Sequence, residues 1–360
     1  MSIMGKRVTL ADIARAVGVT PATVQRALKG LDGVGEEQRG RILKAAQEMN
    51  YRPNALASAL KRGELHIALV LPEAEKESQY YAASLWEGVR ASLEGGGRYM
   101  AKISAFPYER SPENLGNAME RMYGTLRGRV DGVITMGVRD AAFLEVCRRL
   151  SEDRVPYVFV GTDCREAKRL CCVAACNETA GRMAADLFLN FGPKGGGRII
   201  LTGDFNIEDQ MENAFGFERQ IGRFGRETGI IKLINYNGIQ ATGRELAELL
   251  SGGGIAGIYS TSARNTLAAA WALEEAGCGG MAVGSDIFPE TIELLKGRRI
   301  WAVIHKRSYD QARRAAQILM DYLLTGERSF EDEEQVLPLV VTNGSVSCFE
   351  GNRTAEGYFT

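Results

Sequence analysis

The N-terminal segment of this 360-residue chain concentrates side chains that can bind the chemical groups of nucleic acids. Arg26 can bond guanine or phosphate, Gln25 can pair with adenine, and threonine hydroxyls can hold phosphate oxygens. Residues 1–62 contain eleven Lys/Arg against five Asp/Glu, whereas the remaining residues contain 33 against 40. This basic module on an acidic body favours phosphate binding, because neutralised phosphates release condensed counterions. A solvated charged face is the alternative explanation.

Polar residues at the ends of predicted strands form a second set of candidate functional groups. Thr162 and Asp163 directly follow the apolar run Tyr157–Val160, and Asp286 follows a later apolar run. Ligands of parallel sheets bind beyond the carboxyl ends of the strands, so these side chains are candidate partners for ligand hydroxyls. A cap on the following helix is the alternative role for Asp286. Arg182, near the start of a predicted helix, is expected either to clamp a ligand or to pair across a cleft.

The sequence contains no pattern typical of catalysis or of a metal site. Four cysteines lie close together but form no C-x-x-C pair, and both histidines are distant from them: Cys164, Cys171, Cys172 and Cys176. Small buried apolar residues are therefore a better interpretation of these thiols than zinc ligands. No glycine run fits G-x-x-x-x-G-K-[ST], and no Gly-x-Ser-x-Gly is present. We expect no enzymatic activity, no metal and no cofactor.

Three helices are predicted in the first fifty residues. Thr9 and Thr20 are expected to cap two short helices joined by a turn at Gly18, which is the pattern of a helix-turn-helix. A third helix is predicted over Glu36–Met49, with Leu43 among its inward side chains. This helix would supply the core that the two short helices need.

From Leu65 onward, apolar runs typical of strands alternate with amphipathic helical stretches. Ten strands are predicted, the last of them over Val336–Val341. Alternation of strands and helices implies parallel sheets covered on both faces, and ten strands exceed what one compact sheet usually carries. The predicted fold is therefore an all-α helix-turn-helix headpiece followed by an α/β domain of two lobes, each a doubly wound parallel sheet, with a cleft between them.

The composition also predicts the compartment. No stretch reaches the ~18 consecutive apolar residues that a membrane helix needs, and the N-terminus has no apolar signal core. The seven cysteines have no regular spacing, which fits a reducing compartment better than a disulfide framework. We therefore expect a cytoplasmic protein without a membrane partner.

Several motifs resemble one known family. The segments Val8–Ala14, Gly18–Val24, Arg26–Leu28 and Asn50–Ala57 resemble the headpiece of the lactose-repressor (LacI) family. Further segments are similar to the effector domain of that family, which itself resembles periplasmic ribose-binding proteins: Val130–Ile134, Asn177–Ala185, Gly216–Phe217, Val283–Asp286 and Pro289–Thr291.

The resemblance implies that the second helix lies in the major groove of double-stranded DNA. Helical spacing then exposes five of its side chains to the bases: Pro21, Ala22, Gln25, Arg26 and Lys29. Hydroxyls at the helix starts would hold phosphates: Thr9, Thr20 and Thr23. For Arg26, an ordinary solvated arginine is the alternative.

The resemblance also implies a hinge over residues 51–63, with a short helix at about residues 54–61. It maps a minor-groove wedge onto Leu60, beside three further contact residues, Asn54, Ala57 and Lys61. Two such wedges meet at the centre of a palindrome, so this hinge requires a homodimer. Ordinary apolar linker surface is the alternative interpretation of Leu60.

For the effector cleft, the resemblance places Tyr80 and Tyr81 where relatives stack aromatic rings on sugars, with core packing as the alternative. Asp286 would accept hydrogen bonds from ligand hydroxyls. Asn213 stands where relatives usually carry arginine, and Lys306 where many carry a neutral group. We therefore expect a sugar or sugar derivative as the effector, and Lys306 leads to the hypothesis of an anionic one such as a sugar phosphate.

The predicted function is a DNA-binding transcription regulator, expected to repress, that binds a palindromic operator as a dimer under effector control. A sugar-binding module of the transport type and an effector-independent DNA-binding protein are the alternatives. The predicted domains are residues 1–50 (helix-turn-helix), 51–63 (hinge), 64–176 with 305–327 (first lobe), 177–304 with 328–349 (second lobe) and 350–360 (tail).

Overall fold

The computed structural model describes residues 9–28, 33–49, 65–74, 79–93, 101–192, 197–224, 228–234, 238–277 and 281–349. The chain divides into two compact units. The smaller unit comprises Met1–Leu65 with Met320–Ser329, and the larger one comprises His66–Leu319 with Phe330–Thr360.

The smaller unit contains helices α1 (Leu10–Val17), α2 (Pro21–Leu28) and α3 (Glu36–Glu48). Thr9 caps α1 as predicted, because its hydroxyl oxygen accepts the backbone N–H of Asp12 while the Asp12 carboxylate accepts the backbone N–H of Thr9 at 2.9 Å. Gly18 ends the helix in the left-handed conformation, at φ +76°.

The predicted cap on α2 is also confirmed, since the Thr20 hydroxyl oxygen accepts the backbone N–H of Thr23 at 3.2 Å. The core of this unit includes Ile13, Val24 and Ile42, all fully buried. Leu43 was placed in that core wrongly: it is 46% exposed. Successive helical residues point about 100° apart, so a helix that turns Ile42 inward turns Leu43 towards solvent.

Several sequence predictions fall outside the described residues. They are the hinge over residues 51–63, the tail over residues 350–360, the base-reading position Lys29, and the four hinge residues Asn54, Ala57, Leu60 and Lys61.

The larger unit contains two sheets, as predicted, and each has six strands among the described residues. The ten predicted strands did not include Ala302–His305. The first sheet has the order β11-β5-β4-β3-β1-β2, formed by β1 (Leu65–Val70), β2 (Ala101–Ala105), β3 (Gly132–Thr135), β4 (Tyr157–Val160), β5 (Cys172–Ala175) and β11 (Glu333–Val336). The second has the order β12-β10-β9-β8-β6-β7, formed by β6 (Gly197–Gly203), β7 (Thr228–Ile234), β8 (Ile255–Ser260), β9 (Met281–Ser285), β10 (Ala302–His305) and β12 (Leu339–Thr342). Strand β12 runs antiparallel to β10, whereas β1, β3, β4, β5 and β11 in the first sheet and β7, β6, β8, β9 and β10 in the second pair in parallel with their neighbours in these series.

Helices cover both sheets and define two lobes. The first lobe combines the first sheet with α4 (Gln79–Leu93), α5 (Pro112–Leu126), α6 (Ala141–Glu152) and α12 (Ser308–Thr325). The second lobe combines the second sheet with α7 (Asn177–Phe191), α8 (Glu208–Phe224), α9 (Ile239–Ser251), α10 (Ala263–Glu275) and α11 (Pro289–Lys296). A 3-10 turn at Val346–Phe349 follows the last strand. None of the helices described here combines the length and apolarity needed to cross a membrane.

The chain passes between the lobes three times, after β5, after β10 and after β11. The predicted single strand Val336–Val341 is wrong, because β11 and β12 are separate strands in different sheets. Pro338 lies between them and has no N–H to donate to a ladder, which explains the break. The assignment of residues 328–349 to the second lobe is therefore wrong for β11, which pairs with β5 of the first sheet.

Helices α7 and α8 pack with their backbones in direct contact. A Cβ atom at Gly181 of α7 would overlap the carbonyl oxygen of Asn213 in α8 and would lie 2.6 Å from the backbone nitrogen of Phe217. The helices can approach this closely only because residue 181 has no side chain.

We therefore expect Gly181→Ala to destabilise the protein by about 3 kcal/mol, the upper end for overpacking, because backbone atoms cannot move aside like a flexible side chain. Gly222→Ala is the matched control, since it lies on the exposed side of α8 with nothing within 4 Å of an added Cβ. It should stabilise the protein slightly, by up to about 1 kcal/mol. Urea unfolding of both variants measures the two effects, and equal stabilities would contradict the close packing.

Candidate functional site

A cavity of about 890 Å³ lies between the lobes at the carboxyl ends of the strands. Its walls are formed by residues that follow β2, β3, β4, β6, β8, β9 and β10, together with the start of α4. This location agrees with the rule that parallel sheets bind ligands beyond the carboxyl ends of their strands.

Six of the eight residues predicted for the effector site line this cavity. They are Tyr80, Tyr81, Thr162, Asp163, Asp286 and Lys306. The sheets bring these residues together from distant parts of the sequence. Because they line one cavity, these six residues are placed to contact the same ligand.

Arg182 and Asn213, the other two predicted residues, are not among the residues that line this cavity. The Arg182 guanidinium donates to the Thr179 hydroxyl at 2.8 Å and lies 3.5 Å from the Glu178 carboxylate, on its own helix. Asn213 is fully buried, and its Oδ1 accepts the Tyr259 hydroxyl at 2.5 Å. Both side chains make structural contacts within the second lobe.

Four charged side chains form a chain of alternating sign along the cavity wall, here called the charge ladder: Arg110, Asp209, Lys306 and Asp286. The Lys306 ammonium is 3.7 Å from a carboxylate oxygen of Asp209 and 3.7 Å from one of Asp286. An Arg110 nitrogen lies 3.9 Å from the other oxygen of Asp209. These distances permit ion pairing but exceed normal hydrogen-bond lengths.

The Asp286 carboxylate is held firmly in place. Its Oδ1 accepts the backbone N–H of Lys306 at 2.9 Å and lies 3.7 Å from Nδ1 of His305. Burial by itself would raise the pKa of Asp286, but the Lys306 ammonium, His305 and the Lys306 backbone N–H outweigh it and hold the pKa below the usual 3.8. Asp286 is therefore ionised across the physiological pH range.

Thr162 and Asp163 line the cavity with groups that already have partners. Arg169 binds both oxygens of Asp163, at 2.7 and 2.6 Å, and its side chain is only 10% exposed. The Thr162 hydroxyl donates to the carbonyl oxygen of Gly137 at 2.9 Å. The Asp163 carboxylate therefore binds Arg169 and stabilises the cavity wall. The Thr162 oxygen can still accept a hydrogen bond from a ligand.

The two adjacent tyrosines differ in their surroundings. Tyr80 stacks on Phe288 with ring centroids 4.0 Å apart, and its hydroxyl donates to the Glu290 carboxylate at 2.5 Å. The guanidinium of Arg110 lies over the Tyr81 ring, 5.1 Å from its centroid. Burial raises the pKa of Tyr81, so its hydroxyl remains protonated. The predicted stacking on a sugar is not available to the Tyr80 face that contacts Phe288.

Sequence reasoning missed several residues of the cavity. They include Tyr108, Arg110, Asp204, Asp209, Gln210 and Arg264. Asp204 and Asp209 follow β6, and Arg110 follows β2, so the strand-end rule that led to Asp286 would also have found them.

The exposed face of α2 carries one polar and one basic side chain, Gln25 and Arg26. Pro21, Ala22, Gln25 and Arg26 are exposed, while Val24 and Ala27 face the core: the helical spacing predicted this arrangement. The hydroxyls of Thr20 and Thr23 are 2.9 Å apart at the helix start. The Thr9 hydroxyl donates to Asp12 at 2.6 Å, so its hydrogen is not available to a phosphate.

Comparison with known proteins agrees with both parts of this description. The profile of bacterial regulatory proteins of the lacI family matches residues 9–54, and that of the periplasmic binding protein domain matches residues 74–328. The chain belongs to the periplasmic binding protein domain family, and it carries a lacI-family domain over residues 9–54. The periplasmic binding protein domain covers most of the chain.

Two curated relatives each match part of this chain. The HTH-type transcriptional regulator MalR of Streptococcus pneumoniae is 29% identical over 158 residues, which is 43% of this chain and 45% of the relative. Catabolite control protein A of Staphylococcus aureus is 24% identical over 234 residues, which is 65% of this chain and 63% of the relative. The aligned region therefore spans about half to two thirds of the relatives' length.

Solved structures share the fold of the two-lobed domain. The glucose-galactose binding protein GanP of Geobacillus stearothermophilus has a TM-score of 0.65 at 21% identity, and the match covers 78% of this chain and 98% of that protein. At this identity the likeness shows the fold of the two-lobed domain and nothing about its ligand.

Proposed function

We propose that this LacI-family protein is a transcription regulator that binds a palindromic DNA operator as a homodimer and is controlled by a small sugar-like effector. Repression is the expected mode, and the cytoplasm is the expected compartment because the DNA target lies there. The observation that carries the proposal is the presence, in one chain, of the exposed face of α2 and the ladder-lined cavity. Both functions are binding functions, and we assign no catalytic step to either.

The headpiece is suited to DNA because α2 offers base-reading and phosphate-holding groups together. Gln25 and Arg26 are exposed side by side and can reach base edges in the major groove, while Thr20 and Thr23 lie at the helix N-terminus, which attracts phosphate. Pro21 and Ala22 are small where a polar side chain would read bases. The operator preference should therefore rest mainly on Gln25 and Arg26.

The charge ladder is suited to an uncharged ligand with several hydroxyls. A hydroxyl both donates and accepts, so it can bond a carboxylate and an ammonium at once, whereas the ladder groups are too far apart to bond one another. Lys306 is only 7% exposed and has carboxylates on two sides. Vicinal hydroxyls of a neutral sugar would bridge Asp209, Lys306 and Asp286.

The same charges count against the anionic ligand that Lys306 suggested from sequence. Seven carboxylate and four cationic side chains line the cavity. A phosphate placed at the Lys306 ammonium would face Asp209 and Asp286, which repel it at close range. We therefore replace the anionic hypothesis with a neutral one.

Selection of DNA fragments by the purified protein at physiological salt tests the proposal, repeated with glucose, galactose and ribose and with their phosphates. We expect enrichment of a palindrome and a change in its affinity with at least one neutral sugar. Failure to enrich any palindrome would overturn the assignment as a DNA-binding regulator. A response to the phosphates alone would overturn the neutral ligand, and no response to any sugar would favour an effector-independent protein.

A further inference from the structure

Tyr80 joins the two lobes at the mouth of the cavity. It lies in the first turn of α4 in the first lobe, whereas Phe288 and Glu290 lie at the start of α11 in the second lobe. The rings of Tyr80 and Phe288 are stacked at 4.0 Å with an interplanar angle of 22°. The Tyr80 hydroxyl donates to Glu290 Oε1 at 2.5 Å.

Phe288 gives this contact a rigid base. It is 5% exposed, and its backbone N–H donates to the Thr291 hydroxyl at 3.0 Å, which fixes the start of α11. Phe288 lies two residues after Asp286, the carboxylate at the end of the charge ladder. One short loop therefore carries a ligand-facing group and the partner of Tyr80.

Another contact between the lobes is looser. Arg110 and Asp209 approach to 3.9 Å, which is beyond hydrogen-bonding distance. Tyr80 in contrast makes a stacked ring contact and a short hydrogen bond to a charged acceptor, the stronger class of hydrogen bond.

We propose that Tyr80, Phe288 and Glu290 form a latch that sets the closing equilibrium of the cavity. The ring pair aligns the lobes, and the hydroxyl-carboxylate bond holds them. Because the Asp286 loop belongs to both the ladder and the latch, a ligand on Asp286 and a closed latch stabilise each other. The coupling to an effector rests on the function proposed above, whereas the latch itself does not.

Hydrogen exchange of the full-length protein, without sugar or DNA, tests the latch. Tyr80→Phe keeps the ring pair and removes the bond to Glu290, so backbone amides in residues 281–296 should exchange roughly tenfold faster. Tyr123→Phe is the matched control, because it removes a tyrosine-aspartate hydrogen bond of 2.8 Å within the first lobe. It should leave exchange in residues 281–296 unchanged.

Glu290→Ala completes a double-mutant cycle with Tyr80→Phe. If the two residues act through one bond, the double variant should exchange no faster than either single variant. Wild-type exchange in Tyr80→Phe, or fully additive effects in the double variant, would overturn the latch. Changed exchange together with failure of the DNA selection would keep the latch and remove the proposed function, so the two failures are distinguishable.

Discussion

Lys306→Met is expected to destabilise the protein at pH 7 by about 3 kcal/mol, the lower end for breaking a buried ion pair. The substitution leaves Asp209 and Asp286 facing each other without the cation that separates them, at 14% and 17% side-chain exposure. Because both carboxylates remain partly exposed to water, the loss of stability should lie at the lower end of the range for buried ion pairs. Urea unfolding measures this loss as a lower midpoint with an unchanged slope.

The loss should depend on pH in a defined direction. The pKa of Asp286 is lowered in the native protein, so its stabilising effect is present above about pH 4 and disappears as pH falls through the native pKa. In Lys306→Met the Asp286 carboxylate destabilises the protein while it is charged, and protonation at low pH removes this effect. The difference between the two proteins should therefore be greatest near pH 7 and should shrink as pH falls towards 4.

Lys232→Met is the control for this experiment. Lys232 pairs with Glu218 at 2.7 Å, but the two side chains are 44% and 34% exposed. Water screens such a pair, so its loss should cost less than about 1 kcal/mol at any pH. Two outcomes would show that Lys306 does not stabilise the protein through the charge ladder. They are equal losses of stability in the two variants and a loss in Lys306→Met that does not change with pH.

Arg26→Ala is expected to weaken binding to the selected operator by roughly 10- to 100-fold, because one base-reading arginine is worth about 1–3 kcal/mol. Arg26 is exposed on α2, where it can reach a base edge or a phosphate. Fluorescence anisotropy with a labelled operator at fixed salt measures the loss. Arg41→Ala, an exposed arginine on α3, is the matched control and should lose only a few-fold.

Arg26→Lys separates the two ways in which Arg26 can act. Lysine keeps the positive charge but lacks the planar pair of donors that matches guanine. If Arg26 reads a base, the lysine variant should remain weak and show relaxed preference at one operator position. If Arg26 binds a phosphate, lysine should restore most of the affinity with unchanged preference. Equal behaviour of Arg26→Ala and Arg41→Ala would contradict both.

Local signals made much of the fold predictable. Thr9 and Thr20 cap their helices through hydrogen bonds to residues three positions away, so the complete interaction is visible in a short stretch of sequence. Parallel strands buried on both faces read as continuous apolar runs, and β4 and β9 illustrate this pattern.

The same local signals do not show which strand pairs with which, or which side chains bond to each other. The run that contains β11 and β12 is apolar at its end whichever sheet each part joins, and only the pairing of Glu333 with Cys172 shows that β11 belongs to the first sheet. Arg182 was a candidate because of its place near the start of a helix, and Asn213 because of the resemblance, but their hydrogen bonds to Thr179 and Tyr259 decide their positions.

The roles of Tyr80 and Lys306 also depended on distant residues. Glu290, which accepts the Tyr80 hydroxyl, lies 210 residues further along the chain. The sign of the ligand charge could not be inferred from Lys306 alone, because Asp209 neutralises it from another strand end. Residue type identified these positions as functional candidates, and only their neighbours define what each can do.

The three passages of the chain between the lobes have a consequence for synthesis on the ribosome. Strand β5 ends at Ala175, but its neighbour β11 begins only at Glu333. The second sheet is likewise incomplete until β12 (Leu339–Thr342) has been synthesised. At about 5–20 residues per second, translation of the intervening segment takes roughly 8–30 s. During that time the nascent chain carries an open sheet edge at β5, the kind of surface that pairs with other chains. Both sheets are completed by the same ten residues, so the lobes mature together rather than one after the other.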